Sequence, residues 1–336
     1  MTTATSAIPD QRAAAGRDRS GTPSGPLLRV TDLAVALPTG PREEIQAVRS
    51  VSLEVHRGER IGIVGESGSG KSVTGRAIAG LLPPSKRVRV SGSIRIEGQE
   101  MVGAPPGAWD RIRTHADGMI FQDPLTFLNP VMKIGSQVRE SLHPDRRHGR
   151  SAAVDPAVLE VLELAGLTDV AALAQRFPHE LSGGMRQRVL IAIAIAKQPD
   201  LIIADEPTTA LDATVQRHVL ATLDETVARM DTSLILISHD LAVVASMTDR
   251  IYVMYGGRVV ETGPTRDVMD KPKHLYTQAL LRSVRSLTDE NTPLWSITPE
   301  LREEIDALVA RSDEPDTDGP DADGSDRHET EADDAA

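Results

Sequence analysis

Gly65-Glu66-Ser67-Gly68-Ser69-Gly70-Lys71-Ser72 is the stretch on which the fold turns. It matches the pattern G-x-x-x-x-G-K-[ST]. Glycines let the backbone wrap closely, so that its N–H groups point at phosphate oxygens. A helix start just downstream adds a partial positive charge. In this pattern Lys71 reaches the terminal phosphates of a nucleotide, and the Ser72 hydroxyl ligates Mg²⁺. Arg60–Val64 reads as a short apolar strand leading in. Val73, Ala77, Ile78, Leu81 and Leu82 fall near one face of a helix leading out, with Pro83-Pro84 as its stop. These flanks disfavour the bland alternative, a glycine turn with an exposed lysine. The pattern serves kinases, GTPases, helicases and transporters alike, and no Asn-Lys-x-Asp guanine-reading motif is present.

Working outward, Leu201–Ala204 and Ser233–Ile237 read as buried parallel strands. Leu28–Val35, Val51–Val55 and Ser93–Glu97 alternate as strands do and suggest an antiparallel sheet near the N-terminus. Pro38, Gly40 and Pro41 mark the loop between the first two. Asp155-Pro156 is a good helix start, followed by the stripe Val158, Val161, Leu162, Ala165 and a stop at Gly166. Ile251–Val260 predicts a hairpin turning at Gly256-Gly257. The expected class is α/β: a P-loop NTPase with an N-terminal antiparallel β-subdomain, a parallel-sheet core and a helical subdomain.

Two further segments carry chemistry. In Leu181-Ser182-Gly183-Gly184-Met185-Arg186-Gln187-Arg188, Ser182 sits where a helix should start, and Gly183-Gly184 permit close approach by a phosphate. A Ser-capped helix without a ligand is the competing reading. Leu201-Ile202-Ile203-Ala204-Asp205-Glu206 is an apolar strand delivering two carboxylates to its C-terminal end. Asp205 suits Mg²⁺, directly or through water. Glu206 suits polarisation of an attacking water. A strand that merely runs into an acidic loop is the alternative.

With these segments in view the chain resembles the ABC transporter ATPase family, over about residues 27–284. Leu181–Arg188 is similar to the LSGGQ signature, with Met185 in place of the usual Gln. Phe121-Gln122-Asp123-Pro124 resembles the Q-loop, which implies that Gln122 senses Mg²⁺ or the attacking water. Ala210-Leu211-Asp212 resembles the D-loop, which implies that Asp212 lies near a dimer interface. His239 resembles the switch histidine that contacts the γ-phosphate. The resemblance implies that ATP and Mg²⁺ are the cofactors. It implies that Gly65, Glu66, Ser67, Gly68, Ser69, Gly70, Lys71 and Ser72 of one chain bind nucleotide with Ser182, Gly183, Gly184 and Asp212 from a second ATPase chain. It assigns Glu206, His239, Gln122 and Lys71 to catalysis, and Ser72, Gln122 and Asp205 to the metal. Closure of the two chains would drive separate transmembrane permease subunits.

Three segments narrow the branch. Phe121–Val131, Asp205–Gln216 and His274-Leu275-Tyr276-Thr277-Gln278-Ala279-Leu280-Leu281 resemble the dipeptide, oligopeptide and nickel import branch. Import of peptides or a related small solute is therefore expected, supplied indirectly by an extracellular or periplasmic binding protein. An ABC ATPase for another substrate or an exporter is the alternative. A non-transport ABC protein is disfavoured by the lack of coiled-coil insertions or a second cassette. The chain departs from the branch twice. It has no cysteine, so no iron–sulfur cluster is expected. The usual adenine-stacking aromatic near the end of the first strand is absent, and a rough alignment puts Leu37 there. Weaker adenine affinity is expected.

Composition sets the remaining bounds. The net charge is −12 over 336 residues. Asp313–Ala336 holds 11 acidic residues against one basic residue, Arg327, and so carries −10 of it. The body is close to neutral and offers no basic excess for nucleic acid. The expected domains are a disordered leader at 1–26, an ABC ATPase domain at 27–265 with a helical subdomain at about 125–190, an extension at 266–310 and a disordered acidic tail at 311–336. No apolar run reaches spanning length, the nearest, Val189–Ala204, being broken by Lys197, Gln198, Pro199 and Asp200. The expected place is peripheral, on the cytoplasmic face of the cell membrane.

Overall fold

A computed structural model describes residues 25–115, 117–147, 155–209, 211–288 and 297–311. Nearly all of the expected leader and tail, together with Ala210, lie outside the described residues.

Ten strands form one mixed sheet. They are β1 (Leu28–Pro38), β2 (Glu44–Val55), β3 (Arg60–Val64), β4 (Arg89–Ile96), β5 (Gln99–Glu100), β6 (Asp117–Ile120), β7 (Leu201–Asp205), β8 (Ser233–Ser238), β9 (Arg250–Tyr255) and β10 (Arg258–Pro264). The spatial order is β5-β4-β1-β2-β10-β9-β3-β8-β7-β6. The strands β9, β3, β8, β7 and β6 run parallel to their neighbours in that order. The β5, β4, β1 and β2 end is antiparallel, as is the β9–β10 hairpin. This is the expected α/β class.

The apolar runs are continuous because the central strands are buried on both faces. Ile61, Ile63, Ile203, Ile235 and Ile237 point into one core, shared with β1, β2 and β4. Val64, Ile202, Ala204, Leu234 and Leu236 alternate with them into a second core on the other face. That second core holds the helices α4 (Ile134–Ser141), α5 (Pro156–Leu164), α6 (Val170–Leu173) and α7 (Gly183–Ile195). The helices α1 (Lys71–Ile78), α2 (Pro106–His115) and α3 (Pro124–Phe127) precede them. Downstream come α8 (Ala213–Met230), α9 (Leu241–Met247), α10 (Thr265–Asp270), α11 (Leu275–Thr288) and α12 (Pro299–Arg311). Asp155 caps α5, its carboxylate accepting from the Ala157 N–H at 3.1 Å and from Arg139 Nε at 3.2 Å. These two bonds satisfy a fully buried acid.

Two boundaries differ from expectation. α1 ends at Ile78, before Pro83-Pro84. Gly80 takes φ +65°. The N–H groups of Gly80 and Leu81 return to Ala77 O and Arg76 O at 3.1 and 2.8 Å. This double bond pattern closes the helix, so Leu81 leaves its face and is 38% exposed. The first hairpin is longer than its alternation suggests: β1 includes Pro38, opposite Glu44. Register shifts between Val30 and Ala36 break the period of two that a sequence reading relies on. The long apolar run at Val189 divides into the end of α7 and the first four residues of β7. Among the described residues no helix is long and apolar enough to cross a membrane.

Candidate functional site

The loop from β3 to α1 wraps around the Lys71 ammonium. Lys71 Nζ donates to Gly65 O and Glu66 O, each at 2.7 Å, and lies 3.4 Å from Ser69 Oγ. Lys71 is only 5% exposed. Burial lowers its pKa, opposed by the charges of Glu206, Asp205 and Glu66. The turn needs glycine where it starts. A Cβ on Gly65, at φ +153°, would lie 2.1 Å from Met254 O on β9.

β7 carries the acidic pair to the same place. Ser72 Oγ donates to Asp205 Oδ1 at 2.7 Å. Burial raises the Asp205 pKa, while the Ser72 hydroxyl bond and the Arg76 guanidinium at 3.8 Å draw it down. Glu206 sits at φ +50°, its N–H donating to Ile237 O on β8 at 2.9 Å. Its Oε2 meets His239 Nδ1 at 2.7 Å and accepts from the Thr209 hydroxyl. His239 is on the loop after β8, with its side chain 55% exposed. The parallel register β3–β8–β7 therefore gathers loop, acids and histidine at one edge of the sheet, where ligands of such sheets bind.

Ser67, Gly68, Gly70, Lys71, Ser72, Gln122 and Glu206 line a cleft of about 450 Å³, and Asp205 and His239 join its wall only through Ser72 and Glu206. Gln122 is exposed in the connection from β6 to α3, beside Phe121, whose ring stacks on Phe127 at 3.7 Å. A larger hollow of about 610 Å³ lies against β10, lined by His274 and Leu308 among others, but neither the loop nor the acidic strand end reaches it. Chemistry, not size, selects the cleft.

Several expected residues stand elsewhere. Gly65, Glu66 and Ser69 support the loop without lining the cleft. Ser182, Gly183 and Gly184 are not on its wall either. Ser182 caps α7, accepting from the Met185 N–H at 3.3 Å. Asp212 caps α8, accepting from Thr214 and Val215 N–H at 3.1 and 3.0 Å. Leu37 packs toward the core under β1 and does not line the cleft. Its cross-strand neighbour Ile45 does, with 55% exposure. Thr209, Arg76 and Tyr276 also escaped the sequence reading. Tyr276 and Thr209 had a signal, their places in segments that resemble the import branch, and Arg76 had none.

A Mg²⁺ ion suits the donor set here. Ser72 and Asp205 present a hydroxyl and a carboxylate, hard oxygen ligands, held 2.7 Å apart.

Known proteins resemble this chain in sequence and in fold. Residues 48–209 match the ABC transporter family, and residues 260–307 match the oligopeptide/dipeptide transporter C-terminal region. The oligopeptide transport ATP-binding protein OppD of Bacillus subtilis is 44% identical over 85% of this chain and 81% of its own length. The dipeptide transport ATP-binding protein DppD of the same organism is 44% identical over 76% of this chain and 77% of its own. A solved ATP-binding cassette, dimeric and bound to ADP and phosphate after hydrolysis, superposes with a TM-score of 0.62. It is 28% identical, covering 71% of this chain and 99% of that one.

Proposed function

This chain belongs to the ABC transporter family as an ATP-binding and ATP-hydrolysing subunit, and from that membership we propose that it energises the import of oligopeptides or dipeptides through separate transmembrane subunits. One observation carries the mechanism: the cleft joins Lys71, Ser72 and Glu206, yet leaves Ser182 and Gly183 outside. The cleft is half of a site, and a second ATPase chain supplies the signature.

Lys71 holds the terminal phosphates. Ser72 and Asp205, with Gln122 beside them, would hold Mg²⁺, which offsets phosphate charge when bound. Glu206 orients a water against the γ-phosphorus and accepts its proton as the new P–O bond forms and the bond to ADP breaks. His239 steadies the Glu206 carboxylate through its Nδ1 contact. The Asp212 cap sets the start of α8 beside the signature, near the partner chain. The chain docks on the cytoplasmic face of its permeases.

The test is reconstitution of the chain with its permeases and binding protein in vesicles. ATP-dependent peptide uptake, with hydrolysis stimulated by the peptide-loaded binding protein, is the expected result. Hydrolysis that moves peptide outward, or moves another solute and no peptide, rejects the import reading.

A further inference from the structure

The loop that grips phosphate is held from behind by the C-terminal helices. The Glu66 N–H donates to Tyr276 Oη of α11 at 2.8 Å, across 210 residues of sequence. The Glu66 carboxylate accepts from Arg302 of α12 at 3.1 Å, across 236 residues. The Glu66 carbonyl accepts from Lys71 Nζ at 2.7 Å. The Gly65–Glu66 peptide is thus fixed on both sides, by the extension through the Glu66 N–H and by the phosphate-binding lysine through the Gly65 carbonyl, which also accepts from Lys71 Nζ at 2.7 Å.

The extension is itself anchored. Tyr276 is fully buried, and its ring lies against that of Tyr255 with centroids 4.6 Å apart. Tyr255 on β9 donates from its hydroxyl to Asp306 of α12 at 2.6 Å. Ile305 of α12 is fully buried in the same core. A hydroxyl within a packed aromatic pair has few ways to move, so it sets the Glu66 amide where the fold dictates. Turning that peptide would swing the Gly65 carbonyl and re-aim the Lys71 ammonium.

We propose that the C-terminal extension holds the phosphate loop in its nucleotide-binding shape, with Tyr276 and Arg302 as positioning residues, so that displacement of α11 or α12 is felt as lost ATP affinity. This gives the extension a part in the ATP cycle, beyond any contact with other subunits. The inference rests on the loop being an ATP site.

The variant that isolates it is Tyr276→Phe in the full-length chain, which keeps the ring and removes only the hydroxyl. ATP binding is measured by calorimetry on the isolated chain, KM and kcat in the reconstituted transporter, and thermal unfolding without nucleotide. Kd and KM rise roughly three- to tenfold, the worth of one such hydrogen bond. Glu206 and the Ser72–Asp205 pair are untouched, so the loss falls chiefly on Kd and KM and kcat stays within about twofold. Arg302→Gln, at an exposed pair, raises Kd about twofold, and it decides the matter should Tyr276→Phe fail to fold. A purely packing role would shift the melting temperature and leave Kd and KM unmoved; that result overturns the proposal. Failure of the wild-type chain to bind ATP would instead remove the site reading on which it stands.

Discussion

Glu206→Gln separates chemistry from structure most sharply. The Glu206 side chain is 12% exposed and meets His239 Nδ1 at 2.7 Å. The Thr209 hydroxyl donates to the same oxygen. Glutamine has the same length and keeps an acceptor oxygen for both partners, and the backbone at φ +50° asks the same of either residue. The stability change is therefore about 1 kcal/mol at most, the scale of one altered hydrogen bond. The lost function is larger. An amide cannot take the proton of the attacking water, and loss of a general base costs roughly 10²–10⁴-fold. That corresponds to about 3–5 kcal/mol of barrier. ATP binding survives because Lys71, Ser72 and the loop amides are untouched. The variant should thus bind ATP, accumulate as an ATP-loaded dimer on size exclusion, and release phosphate at least about a hundredfold more slowly in the reconstituted transporter. Phosphate release within about tenfold of wild type, from a protein of unchanged melting temperature, would show that Glu206 is not the base.

Three further outcomes are expected. Ile45→Tyr places a ring at the rim of the cleft and should tighten ATP binding by about 1–3 kcal/mol, the scale of base–aromatic stacking; an unchanged Kd would mean that the base lies elsewhere. Ser182→Arg puts bulk and charge on the exposed cap of α7, outside the cleft, so the isolated chain should bind ATP normally while ATP-driven dimerisation and turnover are lost; weakened binding in the isolated chain would place Ser182 in its own cleft. Asp117 is 8% exposed, its Oδ1 finds no hydrogen-bond partner among the described residues, and burial lifts its pKa from 3.8 to about 6 against the pull of Lys197 and Arg113. The folded chain then binds this proton more tightly than the unfolded one, so stability falls as pH rises through that interval, and the cost persists above it. Asp117→Asn should remove that slope and add roughly 1–3 kcal/mol at pH 7.5, with Lys197 losing its partner as the opposing effect; chemical denaturation at about pH 4.5 and 7.5 checks it, and an identical pH slope in both proteins would refute it.

The residues 65–72, 201–206 and 155–166 were legible because each is a local device. A glycine turn, a strand end and a capped helix are specified by neighbours in sequence, and the physical reason for each residue lies within a few positions. The parallel core was legible for a related reason: short apolar runs such as Leu201–Ala204 and Ser233–Ile237 suit strands buried on both faces. The first hairpin was less so, since its register shifts cost the alternation its phase.

The sequence by itself determined that this chain holds phosphate and delivers two acids to a strand end. Tertiary structure alone decided which groups share a cleft. It put Glu206 against His239, left Ser182 outside, and set Tyr276 against Glu66. Contacts across 33 or 210 residues are products of strand order and helix docking. No local propensity encodes them, because the chemistry at each end is satisfied just as well by water until the fold brings the two ends together.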